Sequence, residues 1–207
     1  CQWCVRDRAI GMMVRHVPIP KTACAAGRSG ERHYMNDPER EASFIRVAFC
    51  GDQMAATCRV FRRQVSLGSG EYADAGGIGE VCTAKLHRKR GLSAQLLKDA
   101  KQIMSESGME LSFLHSAPEF FPVYEKAGYK CTVTQWSVAL IDRPILVESL
   151  KEETNCCVRL ARFPDDTKTL MKGHQEFSEH RFAGCVRRSE SYWENYIGKE
   201  LEGSLYV

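Results

Sequence analysis

No apolar run in this sequence approaches the ~18 uninterrupted residues of a membrane-spanning helix, so no such span is expected and the protein should be soluble. Neither sign of charge dominates. The 29 Lys+Arg and 26 Asp+Glu leave a net charge of +3, which supports neither nucleic acid nor an anionic membrane as the main partner. Internal repeats and low-complexity tracts are missing, which excludes solenoid and array architectures. There is no G-x-G-x-x-G and no Gly-Lys-Ser/Thr, so the chain carries neither a Rossmann fingerprint nor a P-loop. Cys1-x-x-Cys4 is half of a zinc spacing without a second half, and no metal is expected.

What remains is an ordinary globular composition, 43% hydrophobic and 27% charged, over 207 residues. That length suits one well-buried domain, with room for part of a second. A first residue of cysteine instead of methionine predicts that the native start lies elsewhere. The ten cysteines are spread along the chain, and Cys50, Cys58 and Cys82 fall in strand-like apolar runs where a thiol acts as a small hydrophobe. Reduced thiols in an intracellular, cytoplasmic protein are the expectation.

Residues 1–17 read as one helix ended by Pro18 and Pro20, and residues 21–41 as polar loop with at most a short helix. Ile45, Val47 and Phe49 alternate, a turn follows at Cys50-Gly51-Asp52-Gln53, and a second strand runs from Met54 to about Leu67, which makes a hairpin. Residues 68–77 read as a glycine-rich loop and Ile78–Ala84 as a third strand. Leu92, Leu96, Leu97, Ala100, Ile103 and Met104 recur at helical spacing, with Gly108 just past the end. A strand at Leu111–His115, a short helix from Pro118 to about Lys126 and a strand at Thr132–Ile141 follow. This order predicts an α/β sandwich around a mixed sheet, antiparallel early and parallel across the long helix. After a connector at 143–154, the tail offers a strand at Cys157–Phe163, a helix opened by Asp165 and Asp166, and a helix containing Trp193. These are too few elements to close a core.

The chemistry concentrates where Val81-Cys82-Thr83 leads through His87-Arg88-Lys89-Arg90 into Gly91-Leu92-Ser93. A strand ends, a basic loop turns, and a long helix begins at a glycine. Free backbone N–H groups and the positive end of the helix dipole then face the loop, a place that binds phosphate. A solvated basic turn before a surface helix fits the same spacing.

Arg88-Lys89-Arg90-Gly91-Leu92-Ser93 resembles the Arg/Gln-x-x-Gly-x-Gly/Ala signature of the GNAT (Gcn5-related) N-acetyltransferases, with serine at the last position. A second block of that family, Tyr-x-x-x-Gly-Tyr/Phe after a strand and a short helix, is matched by Tyr124-Glu125-Lys126-Ala127-Gly128-Tyr129. Gly76-Gly77-Ile78-Gly79-Glu80-Val81 and Leu114-His115-Ser116-Ala117 narrow the resemblance to the enhanced intracellular survival (Eis-like) acetyltransferases over about residues 10–142. The resemblance implies the GNAT acyl-CoA N-acyltransferase fold, a mixed central sheet with flanking helices, over residues 1–142. Residues 143–207 would form a connector and the start of a second, truncated GNAT-like domain.

It also implies acetyl-CoA as co-substrate, held by Val81, Cys82, Thr83, Arg88, Lys89, Arg90, Gly91, Leu92, Ser93, Ala94, Ser116 and Ala117. Tyr124 matches the family's general acid, although a packing aromatic is the alternative. His115 would orient substrate or relay a proton, or else sit hydrogen-bonded in the core. Glu80 is open between a strand base and a surface carboxylate; Tyr192, Trp193 and Tyr196 read as packing. The implied function is acetyl transfer to a primary amine (a lysine, a polyamine or an aminoglycoside-like acceptor), with a homo-oligomer or larger assembly compatible. The competing reading is an acetyltransferase-fold module for protein interaction or CoA sensing, with little turnover.

Overall fold

The computed structural model describes residues 2–5, 27–132 and 158–207. Its centre is a six-stranded sheet in the order β2-β3-β4-β5-β1-β6, formed by β1 (Gln2–Val5), β2 (Ile45–Cys50), β3 (Gln53–Gly68), β4 (Glu71–Thr83), β5 (Leu111–His115) and β6 (Lys130–Cys131). All neighbours run antiparallel except β4 and β5, which are parallel and joined by the crossover helix α2 (Leu92–Glu106). The remaining helices of the first part are α1 (Gly27–Asn36) and α3 (Phe121–Lys126). This is the mixed sheet with flanking helices that the element order predicts.

The apolar stripe of α2 explains the core. Leu96, Leu97, Ala100 and Met104 bury one helix face against Ala56, Cys58 and Val60 of β3 and Ile78 of β4. The helix stops at a glycine in the left-handed region, Gly108 (φ 76°), with Gly108 N–H donating to Ser105 O and Met109 N–H to Met104 O. This pair of bonds is a Schellman cap, which satisfies carbonyls the helix leaves free.

Four local expectations change. Gln2–Val5 is a strand between β5 and β6, not part of a helix; residues 6–26 lie outside the described residues. Within 21–41, Gly27–Asn36 is a ten-residue helix, longer than expected. The stretch from Glu71 is not loop but the first half of β4, with the turn confined to Gly68, Ser69 and Gly70, all at positive φ. Its glycines sit in a strand because neighbours fill the space a Cβ would need: Met104 and Met109 at Gly76, and the Phe61 ring 2.6 Å from the Cβ position of Gly79. Finally, Val158–Phe163 forms an isolated bridge, Leu160 with Tyr206, and no strand; Cys157 and the predicted strand beyond residue 132 lie outside the described residues.

The tail contains α4 (Thr167–His174), a π-wound turn at Gln175–Glu179 and a last helical stretch from Glu190 through Glu200. It packs on the first part of the chain. Beyond the end of its pairing with β2, the far half of β3 is open on one side, and residues 184–187 cover that edge: Gly184 N–H donates to Ser66 O, Ser66 N–H to Cys185 O and Arg187 N–H to Gln64 O, each at 2.8 Å. Ser66 Oγ also donates to Glu179 O, and Tyr72 Oη to Glu179 Oε2 at 2.6 Å. At the other end Glu200 receives Arg32 at 2.6 Å and His33 at 3.3 Å. Among the described cysteines Cys50, Cys58, Cys131 and Cys185 are free thiols, whereas Cys82 is disulfide-bonded, which departs from the expectation of reduced thiols throughout. Among the described residues no helix is long and apolar enough to cross a membrane.

Gly76→Ala tests the packing argument. Its Cβ would meet Met104 Cγ at 2.7 Å, with Met109 Sδ at 3.1 Å, both side chains buried in the core. Overpacking of this kind costs about 1–3 kcal/mol. Urea unfolding should show a lowered midpoint, and an unchanged midpoint would contradict the argument.

Candidate active site

The site starts from a fault in β4. Thr57 pairs with Cys82 and Arg59 with Gly79, so Glu80 and Val81 together face Cys58. This is a β-bulge, and it places Glu80 at φ 53°, a left-handed conformation that costs a non-glycine residue about 1–2 kcal/mol. Two contacts hold it there. Thr57 Oγ1 donates to Glu80 O at 3.1 Å, and Arg59 Nη1 lies 3.4 Å from Glu80 Oε1. β4 pairs with β5 only over Ala75–Gly77, although both strands continue. Val81, Cys82 and Thr83, past the bulge, lie beyond the stretch that pairs with β5.

Beyond Thr83 the chain turns through a short 3-10 helix, Lys85–His87, into Gly91. Gly91 is the N-cap of α2 at φ 76°, with open space at its Cβ position and no side-chain cap. The first intrahelical bond to it is Gln95 N–H to Gly91 O, which leaves the amides of Leu92, Ser93 and Ala94 without partners among the described residues. Ser93 Oγ lies 2.9 Å from Thr83 Oγ1, fastening the first helical turn to the end of β4. Arg88 Nε donates to Thr83 O at 3.3 Å, and Arg90 Nη1 lies 3.0 Å from His87 Nδ1. Arg88, Lys89 and Arg90 are all exposed. Unpaired amides, a positive helix end and three cations thus meet at one turn, a donor set suited to a pyrophosphate group.

The Tyr-x-x-x-Gly-Tyr block has its own physical reason. Gly128 (φ 88°) ends α3, Gly128 N–H donates to Glu125 O, and Tyr129 N–H donates to Tyr124 O. This is a second Schellman cap, whose usual apolar contact is here the edge-to-face pair of Tyr124 and Tyr129, centroids 6.2 Å apart. Tyr129 is buried, with its hydroxyl 2.6 Å from Ser112 Oγ. Tyr124 is half-buried against the same core as Val81 and Leu92, and its hydroxyl has no hydrogen-bond partner among the described residues. Burial pushes its phenol above the usual tyrosine value, and the neighbouring Cys58, itself pushed up to about 12, adds to the shift. Because Cys58 faces the bulge, Tyr124 stands beside the opened part of β4.

The other candidates are placed less tightly. His115 ends β5 opposite Gln2, exposed, with no hydrogen bond to Tyr124 or α2, and burial of its ring lowers its pKa. Ser116 and Ala117 follow it, Ser116 Oγ donating to Ala117 O at 3.1 Å. Among the described residues no cluster of three His, Cys, Asp or Glu side chains is arranged to hold a metal.

Sequence reasoning missed the support beneath Glu80. Asp37 is fully buried and receives Arg59 Nη2 at 2.9 Å and Arg63 Nη2 at 2.6 Å. The Arg59 guanidinium lies between the rings of Phe61 (4.1 Å) and Tyr34 (4.7 Å). The available signal was Arg59-x-Phe61-x-Arg63, two arginines at strand period on a face flanked by apolar residues. Glu80, nearby, has its pKa raised, burial outweighing the attraction of Arg59 and His33.

Comparison with known proteins agrees with this geometry. The family model "Acetyltransferase (GNAT) domain" matches residues 20–132, more than half of the chain. The chain belongs to the GNAT acetyltransferase family. Among solved structures this GNAT chain is similar to a GCN5-related N-acetyltransferase from Kribbella flavida, at 21% identity and TM-score 0.61, over 89% of this chain and 46% of that one. It is also similar to Eis1 from Mycobacterium abscessus, at 12% identity and TM-score 0.59, over 93% of this chain and 48% of that one. Both likenesses are of fold, and the chain spans about half the length of either neighbour. No curated protein matches the chain.

Asp37→Ala tests the support. It would leave Arg59 and Arg63 buried without their shared carboxylate, a change that costs about 3–5 kcal/mol for buried pairs. Denaturant unfolding should show a loss of that order; a loss below about 1 kcal/mol would show that the cluster carries little.

Proposed function

We propose that this GNAT chain transfers the acetyl group of acetyl-CoA to a primary amine. The observation that carries the reading is the convergence of the uncapped first turn of α2 with the end of β4 beyond its pairing with β5 and the half-buried Tyr124. The amides of Leu92, Ser93 and Ala94 take the pyrophosphate, Gly91 lets it approach the backbone, and Arg88, Lys89 and Arg90 add charge. Backbone groups of Val81, Cys82 and Thr83 bond the pantetheine arm and polarise the thioester carbonyl. Ser116 and Ala117 border the same opening from the end of β5.

The acceptor nitrogen attacks the thioester carbon, a C–N bond forms, and the C–S bond then breaks. Tyr124 gives its proton to the departing thiolate, and the proton released by the acylated nitrogen restores the phenol through solvent. A raised phenol pKa suits that role, since the hydroxyl stays protonated over the neutral range. Glu80 accepts the proton from the acceptor ammonium: it lies at the bulge, partly exposed, with its own pKa raised toward the range of a useful base. His115 borders the opening and orients the acceptor. A lysine, a polyamine or an aminoglycoside-like compound meets these requirements equally. The resemblance to Eis-like enzymes further suggests that 143–207 begins a second domain of the same type.

Tyr124→Phe tests the mechanism. Turnover should fall about 10²-fold or more, the range for a lost general acid, while acetyl-CoA affinity and melting temperature stay close to the native values. Normal turnover with lowered stability would reduce Tyr124 to a packing residue. An intact chain that binds acetyl-CoA yet acetylates none of a panel of amines would favour a non-catalytic module.

A further inference from the structure

A cavity of about 580 Å³ lies between the β3–β4 hairpin and the tail. It is distant from the acetyl-transfer site. Its sheet wall contains Arg62 and Gln64, paired with Gly76 and Asp74, whereas the site lies near the Ala56–Thr83 pair. Six to eight residues of strand at ~3.3 Å each separate the two by roughly 20 Å.

The charges lining the cavity do not cancel. Each carboxylate there already has a partner: Glu39 takes Arg63 at 3.1 Å, Asp74 takes Arg62 at 2.9 Å, and Glu179 takes Tyr72 Oη and His174. Among the described residues Arg187 and Arg188 have no carboxylate partner, and four arginines against three carboxylates leave one positive charge in excess. Arg187 donates to the neutral Gln64 Oε1 at 3.0 Å. Both guanidiniums instead lie over rings, Arg187 over Tyr72 at 4.8 Å and Arg188 over Trp193 at 5.2 Å. Contact with a ring face holds each guanidinium, and N–H groups that make no ion pair are suited to gripping an oxyanion with paired hydrogen bonds. The main chain beneath them is held as well, by the bond from Arg187 N–H to Gln64 O and the bridge from Val186 to Val65. Gln175 and Ser189 add neutral polar groups to the rim.

We propose that this cavity binds a small multivalent oxyanion, a phosphorylated or polycarboxylate metabolite, through Arg187 and Arg188, separately from the acetyl-transfer site. The volume falls in the range of small-molecule sites. Such a ligand would bridge sheet and tail. The back wall of the cavity, Arg63, shares Asp37 with Arg59, which in turn contacts Glu80.

Calorimetric titration of the intact chain with pyrophosphate and with citrate, at constant ionic strength, tests the proposal and separates the two ligand types. At least one probe should bind, and binding should persist in Gly91→Glu, whose new side chain blocks the first turn of α2. It should weaken at least tenfold when Arg188→Gln is added to Gly91→Glu, and Arg188→Gln alone should leave acetyl-CoA affinity unchanged. Should Arg188→Gln fail to fold, Arg188→Lys keeps the charge but loses the planar fork, and should also weaken binding. No binding of either probe would overturn the proposal. So would loss of binding in Gly91→Glu, or native affinity in the folded Arg188 variants.

Discussion

The left-handed turn at Glu80 is the constraint on which the rest of this structure depends. The pairing of β4 with β5 ends at Gly77 and β5 itself ends at His115, so Val81–Thr83 run on past their parallel neighbour, and the bulge at Glu80 sets how they leave the sheet. The bulge shifts the β3–β4 register at a cost of about 1–2 kcal/mol in backbone strain, and the surroundings must supply it. Arg59 is the main source. It is nearly fully buried, stacked between Phe61 and Tyr34, and bonded on one side to Asp37 and on the other to Glu80. A buried cation with two carboxylate partners cannot easily move, so the position of Glu80 follows from that of Asp37.

Much of this was legible in the sequence where one periodicity acted alone. The stripe from Leu92 to Met104 and the run Leu111–His115 lie where spacing puts them, because each buries one face or a short span and a glycine marks the helix end. The glycines of β4 misled because composition reports flexibility, whereas their role is to leave room for Met104 and Phe61, which come from other elements. Gln2–Val5 misled for a similar reason: its partners, β5 and β6, lie more than a hundred residues away.

The candidate site divides in the same manner. Gly91 and Gly128 were readable because each performs a local task, starting or ending a helix in the left-handed region. Tyr124 was singled out only through the family's Tyr-x-x-x-Gly-Tyr block, and the structure places it in the cap that ends α3. Asp37, Arg59 and Arg63 were not, since an arginine in a strand ordinarily faces water; only the tertiary structure shows a carboxylate from the α1–β2 connection beneath both. The tail likewise looked too small for a core of its own. Its last helical stretch meets α1 at Glu200, and its extended segment covers the open edge of β3.

These observations converge on one claim, that acetyl-CoA lies across the first turn of α2 and along the opened end of β4. Amide chemical-shift mapping during an acetyl-CoA titration tests it most directly. The account predicts the largest shifts at Leu92, Ser93 and Ala94, with a second group at Val81, Cys82 and Thr83. Saturable binding that leaves those six amides unmoved, or no binding at all, would contradict it.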